Sequence, residues 1–135
     1  MATANLCVAL YDNGVFFKHW ALFVNGRSNQ EKVIFHVQGA EKNFKYESRQ
    51  GDATTSKKFL ESLPLCRIEI SKLKDIELAA ENTVLHNERR VWNHQDYVLD
   101  LLDKLEEEGI VNGDDKEYRK NKDAVRCKQD GLVKI

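Results

Sequence analysis

The sequence is poor in the residues that define several classes of protein. Proline occurs once, at Pro64, so Pro-rich linkers are excluded. The three cysteines, Cys7, Cys66 and Cys127, are an odd number at long spacings and contain no C-x-x-C pair. This pattern is neither a disulfide framework nor a cysteine motif for zinc or redox chemistry. It predicts a reducing, cytoplasmic location.

Long apolar runs and an excess of one charge are also missing. No run approaches the roughly 18 residues of a membrane-spanning helix, and the first residues lack the basic start and apolar core of a secretory signal. A net charge of −1 gives no indication of nucleic acid or an anionic membrane as a partner. The 135 residues, 41% of them hydrophobic, suffice for one core, so residues 1–135 are predicted to form a single domain.

The pattern of the chain places strands first and helices later. Short apolar or alternating segments predict strands at residues 6–11, 16–24, 33–39, 44–47 and 65–70. The short polar connection 25–32 predicts that the second and third strands form an antiparallel hairpin. One helix follows a predicted N-cap at Ser71, another begins at His94, and the charged segment 113–135 is either a last helix or partly disordered. This order predicts an α+β fold with a small antiparallel sheet packed on helices.

The segment around His94 has a clear helix start. Its apolar stripe consists of Val98, Leu101, Leu102 and Leu105. Asn93 is the predicted N-cap, and Asp96 lies in the first turn. His94 therefore lies at the positive end of the helix dipole, where a cysteine thiolate would be stabilised. Here the position holds an imidazole, which the dipole favours in its neutral form.

Two further histidines lie inside predicted strands. Alternation places His19 and Ala21 on the face opposite Trp20, and it places His36 on one face with Ile34. If the two strands pair, both imidazoles lie on one side of the sheet. The alternative is that they are ordinary histidines, hydrogen-bonded to their neighbours.

The same segments carry a resemblance to a known family. The sequence K-H-W-A-L-F-V at residues 18–24, followed by V-I-F-H-V at residues 33–37, resembles the histidine hairpin of the lecithin:retinol acyltransferase-like proteins. These proteins belong to the permuted papain-like (NlpC-type) thiol hydrolases. Their second signature, Asn-Cys-x-x-Phe/Tyr-Val at a helix start, is matched here at Asn93, Tyr97 and Val98.

This resemblance implies a permuted papain-like fold and a role for each histidine. His19 corresponds to the family's general base and His36 to the polar residue that orients it. The nucleophilic cysteine corresponds to His94, so we expect no thiol hydrolysis through this position.

We therefore expect a non-hydrolytic enzyme that works without a cofactor or a metal. Its predicted activity is cyclisation or isomerisation of a hydrophobic small molecule, as in a pericyclase of specialised metabolism, because a shaped pocket and hydrogen bonds suffice for it. The predicted catalytic residues are His19, His36 and His94. The predicted substrate contacts are Trp20, Phe35, Trp92 and Tyr97, for which core packing is the alternative.

Two other functions stay open at this point. Three imidazoles form the ligand set of a catalytic zinc site with an open position. Alternatively, the chain is an acyltransferase or thiol-hydrolase relative, inactivated by the change at residue 94, that serves as a lipid- or protein-binding module.

Overall fold

The protein is described by a computed structural model that covers residues 2–12, 18–39, 42–89 and 91–129. Within these ranges the elements are β1 (Thr3–Tyr11), β2 (His19–Asn25), β3 (Lys32–Gln38), β4 (Lys45–Gln50), β5 (Phe59–Glu69), α1 (Leu73–Asn82), α2 (His94–Glu107) and α3 (Lys116–Cys127). The predicted α+β class is confirmed. The start of the second predicted strand, at Phe16 and Phe17, lies outside the described residues.

The five strands form one antiparallel sheet in the order β4-β3-β2-β1-β5. The predicted hairpin of β2 and β3 is confirmed, with a 3-10 turn at Asn29–Glu31 in its loop. Two cross-strand pairs matter for function: Tyr11 lies opposite His19, and His36 lies opposite Glu47. Side chains of directly opposed residues share a face of the sheet, so these four residues lie on one side.

Alternation along the strands separates two apolar clusters. The larger one lies between the sheet and the helices and includes Leu22, Val24, Phe35, Val98 and Leu102. The smaller one lies on the other face and consists of Ala9, Ala21, Phe23, Ile34 and Ala53. The expected placement of Ala21 and Ile34 on the histidine-bearing face agrees with this arrangement.

Strand β5 is longer than predicted and irregular. It begins at Phe59 instead of residue 65, and its register against β1 shifts twice. One shift lies where Pro64 faces Cys7, and proline has no N–H to donate to the ladder. Because β5 is an edge strand, the sheet tolerates a residue that donates no ladder hydrogen bond there.

Of the two predicted helix starts, one is wrong and one is confirmed. The predicted N-cap at Ser71 is wrong, because this residue lies in a 3-10 turn, Ile70–Lys72, and α1 begins at Leu73 without a side-chain cap. The predicted N-cap of α2 at Asn93 is confirmed, and the Asp96 side chain completes a capping box with it. The last helix is confirmed over Lys116–Cys127.

Helix α3 is held against the rest of the fold by partly buried polar contacts. The Lys122 ammonium donates to carboxylates of Asp103 and Glu106, and the Tyr118 hydroxyl also donates to Glu106, over 2.7 Å. Glu106 is therefore the residue on which α3 docks. Across the described ranges, no helix combines the length and the apolar character that crossing a membrane requires.

Candidate active site

One side chain from each strand contributes to a row that crosses the sheet. The cross-strand pairs join Glu47 to His36, and His19 to Tyr11, which in turn faces Phe59. The link between the two pairs is a hydrogen bond of 2.8 Å between His19 Nε2 and His36 Nδ1. The two predicted strand histidines thus meet on one face of the sheet.

The carboxylate at one end fixes the direction of the hydrogen bonds. The Glu47 Oε1 atom lies 2.8 Å from His36 Nε2, and an ionised carboxylate can only accept. His36 Nε2 therefore carries the proton, and in the neutral ring His36 Nδ1 accepts from His19 Nε2. A neutral His19 donating through Nε2 keeps the lone pair of its Nδ1 atom. The chain from Glu47 to His19 thus prepares one imidazole nitrogen as a base.

Helix α2 brings the third histidine to this row. The Asn93 side chain accepts from the backbone N–H of Gln95 over 2.8 Å, which fixes the first turn. The fully buried Gln95 side chain donates over 2.9 Å to the carbonyl of Lys18, directly before β2. This bond ties the start of α2 to the start of the strand that carries His19. As a result, the ring centroids of His94 and His19 are 4.7 Å apart.

The electrostatics keep the strand histidines uncharged at neutral pH. Burial lowers the pKa of His19 to about 3, and the nearby His94 and His36 add to this lowering. Burial also lowers the pKa of His36, although the Glu47 carboxylate opposes the change. The hydrogen bond from His36 in turn lowers the pKa of Glu47, so that this carboxyl is ionised.

An open cleft of about 690 Å³ lies over the row, a size suited to a small organic ligand. All three histidines line it. Its other walls include Tyr11, Ile34, Gln38, Arg49, Asp52, Ala53 and Lys58. The cleft therefore combines a partly apolar floor with a polar and charged rim.

The four aromatic residues predicted as substrate contacts lie in the core instead. Trp20, Phe35 and Tyr97 are fully buried between the sheet and the helices. Trp92 is also buried, and its indole N–H donates to Asp100 over 2.9 Å. Trp20 and Phe35 are each next in sequence to a histidine, so alternation turns them to the opposite face. None of the four lines this cleft.

Two polar residues of the row were missed by the sequence reasoning. Glu47 falls in a predicted weak strand, and Tyr11 ends the first predicted strand. A signal existed for both: each lies on a predicted strand next in sequence to a histidine-bearing strand. Only the register of the pairing, however, places them beside His36 and His19.

The zinc alternative does not fit the geometry of the donor atoms. The nitrogen atoms of His19 and His36 that face each other share a hydrogen bond rather than a common point of coordination. In the described part of the chain, no group of three histidine, cysteine, aspartate or glutamate side chains is arranged to hold a metal ion.

The fold and the site define an α+β protein with a histidine cluster in an open cleft. The chain belongs to a family of unknown function, DUF6540, whose model matches residues 6–112. The matched region contains β1 from Leu6 onward, the other four strands, α1 and α2, and therefore every residue of the row; α3 lies beyond it. No curated protein and no solved structure matches the chain.

Proposed function

We propose that this protein is an enzyme that moves a proton within a small organic substrate and thereby isomerises or cyclises it. His19 is the base, and His36 and Glu47 hold it in the required tautomer. His94 forms the adjoining wall of the cleft and contacts the substrate. No cofactor or metal takes part in this proposal.

The observation that carries the proposal is the hydrogen-bonded chain from Glu47 through His36 to His19. Its two bonds of 2.8 Å leave His19 Nδ1 with a lone pair, and His19 lines a cleft of ligand size. A general base must lie within reach of the proton that it removes, and His19 lines the cleft. When His19 takes up a proton, the Glu47 carboxylate stabilises the resulting positive charge through His36.

The residues that line the cleft also limit the kinds of substrate that it can bind. Its apolar surface comes from Ile34, Ala53 and the Tyr11 ring, while Arg49 and Lys58 lie at its rim. We infer a substrate with a hydrophobic body and a polar or anionic end. The substrate remains a small molecule, as the sequence led us to expect, but a purely hydrophobic one fits this lining less well.

The proposal includes a permuted papain-like scaffold and a cytoplasmic location. What supports the scaffold is the pair of histidines on adjacent antiparallel strands, together with a helix whose first residue adjoins them. In the thiol hydrolases of that class, this first residue is the nucleophile. A histidine there separates the proposed chemistry from acyl transfer.

Deuterium incorporation tests the proposal without a known substrate. The protein is incubated in D₂O with a small-molecule extract of its source organism, and mass spectrometry follows compounds that gain deuterium or change into isomers. We expect such compounds with the unaltered protein and none with His19→Ala. His86→Ala is the matched control, because His86 pairs with Glu88 and does not line the cleft. Equal spectra for all three proteins would contradict the proposal.

A second candidate function is a catalytically silent binding module. It is favoured by one observation, the histidine at the position where related enzymes would hold their thiol. In that case a ligand stays bound in native mass spectra and is released unchanged. His19→Ala would then weaken its retention, and no compound would gain deuterium.

A further inference from the structure

Tyr11 lies beside the proposed base and shares its cleft. It is directly opposite His19 on the neighbouring strand, and the two ring centroids are 5.7 Å apart. On its other side, the edge of the Phe59 ring packs against it at 6.2 Å and 77°. The ring is thus held between two neighbours, and it forms part of the cleft wall.

The phenol of Tyr11 is protonated and faces charged groups of the cleft. Partial burial raises the pKa of this phenol, and the Arg49 guanidinium lowers it in part. Arg49 and Asp52, the two charged groups that act on the phenol, both line the cleft. A neutral phenol in such a position is a hydrogen-bond donor for a ligand.

We propose that Tyr11 is a further catalytic residue, which donates a hydrogen bond to an oxyanion formed on the substrate. The substrate class that follows is a carbonyl compound with a removable hydrogen on the neighbouring carbon. This inference rests on the function proposed above and names its substrate class.

The reaction step balances within the substrate and these two residues. His19 Nδ1 takes the proton from the carbon next to the carbonyl. The electron pair of that C–H bond forms a carbon–carbon double bond, and the carbonyl oxygen becomes an enolate oxygen that the Tyr11 O–H stabilises. Return of the proton from His19 to the same carbon regenerates the carbonyl and exchanges its hydrogen; where the substrate carries a β,γ double bond, return to the γ-carbon of the dienolate moves that double bond and gives the isomer. In both cases His19 is again neutral.

In this reaction the base His19 requires the hydrogen-bond donor Tyr11. A base with the low proton affinity of His19 removes only a proton that the substrate itself makes acidic. A carbonyl group provides that acidity, and a donor on its oxygen increases it further. A base and a donor from adjacent strands, on one face, are the arrangement that enolisation needs.

A phenolate probe tests the oxyanion site directly. Binding of 4-nitrophenolate, which resembles an enolate, is compared with binding of nitrobenzene, which lacks the oxyanion. We expect the unaltered protein to prefer the phenolate, and Tyr11→Phe to reduce this preference about 10- to 100-fold, as for a hydrogen bond to a charged group. Tyr46→Phe is the control, because Tyr46 packs against the helix-side core and does not line the cleft.

Three results would overturn the inference. One is the absence of any phenolate preference in the unaltered protein, and another is an equal loss in Tyr46→Phe. The third is a preference that survives in Tyr11→Phe but disappears in Arg49→Met, since the guanidinium would then be the donor. The deuterium experiment reports on His19 and this one on Tyr11, so the two proposals fail separately.

Discussion

Glu47 on β4 lies directly opposite His36 on β3, and its Oε1 atom accepts a hydrogen bond from His36 Nε2 over 2.8 Å. This pair determines which nitrogen of His36 carries the proton and, through the next bond, which nitrogen of His19 is the base. Glu47 touches no substrate in this arrangement. In the proposed reaction Glu47 is a positioning residue that acts through two imidazoles.

Replacing the Glu47 carboxylate with an amide tests the direction of the hydrogen bonds from His19 through His36 to Glu47. In Glu47→Gln the group that raises the pKa of His36 is gone, so this pKa should fall further. An amide can donate as well as accept, so the tautomers of both rings become mixed. We expect altered imidazole ¹⁵N shifts and a loss of His19-dependent deuterium exchange on the order of 100-fold.

The matched control for this change is Glu61→Gln. Glu61 is a carboxylate on β5 that pairs with Lys128 at 3.3 Å and does not line the cleft. The Glu61→Gln change should leave the imidazole ¹⁵N shifts and the deuterium exchange unchanged. Imidazole spectra of Glu47→Gln that coincide with those of the unaltered protein would refute the assigned direction.

The low pKa of His19 makes the protein less stable in acid. Its pKa is about 3 in the folded state and about 6.5 in an unfolded chain. Between these values the unfolded state binds the extra proton, so the free energy of unfolding falls as the pH is lowered. One such group contributes a slope of about 1.4 kcal/mol per pH unit.

Urea denaturation between about pH 4 and about pH 5.5 measures this contribution. The pKa values of His36 and Glu47 are also lowered, so the slope of the unaltered protein contains their effects as well. We expect His19→Gln to reduce the slope by about one proton, that is, by about 1.4 kcal/mol per pH unit. Parallel slopes for the two proteins would show that His19 is charged in the folded state.

Introducing a thiol at residue 94 tests whether the scaffold supports nucleophilic chemistry. The backbone N–H groups at the start of α2 stabilise a thiolate, and His19 next to it can accept the proton. In a Cys127→Ser background, we expect His94→Cys to react with iodoacetamide near neutral pH at least about 10-fold faster than an ordinary exposed thiol. Adding His19→Ala should remove most of this gain.

The reference for that comparison is already present in the chain. Cys127 is an exposed free thiol at the end of α3, so the unaltered protein gives the ordinary rate. If the thiol at residue 94 reacts no faster than Cys127, the proposed permuted papain-like scaffold loses its chemical support.

The aromatic residues of the core should affect stability and leave turnover unchanged. The Tyr97 hydroxyl donates to the Ala80 carbonyl over 2.8 Å, a buried bond that joins α2 to α1. We expect Tyr97→Phe to lower the free energy of unfolding by about 1–2 kcal/mol, measured by urea denaturation. The deuterium pattern of this variant should match that of the unaltered protein. A loss of exchange without a loss of stability would assign Tyr97 to the site.

Local pattern was sufficient to predict much of this protein. Alternation identified the strands and, together with the predicted hairpin, allowed His19 and His36 to lie on one face. The N-cap at Asn93 located the start of α2 at His94. These features depend on residues close together in the chain, so the sequence determines them directly. Ser71 shows the limit of such reasoning, because a good capping residue does not decide where the 3-10 turn ends and α1 begins.

Only the tertiary structure decided which residues complete the site. Glu47 is eleven residues from His36 and Tyr11 is eight from His19, and each pair meets because of the register between two strands. Register depends on how the whole sheet buries its faces, which no short segment encodes. Burial also places Trp20, Phe35, Trp92 and Tyr97 in the core. Large apolar side chains gain the most free energy when they are removed from water, and the helices cover only that face of the sheet. The sequence thus determined the elements and their faces, and the packing of sheet against helices determined the neighbours.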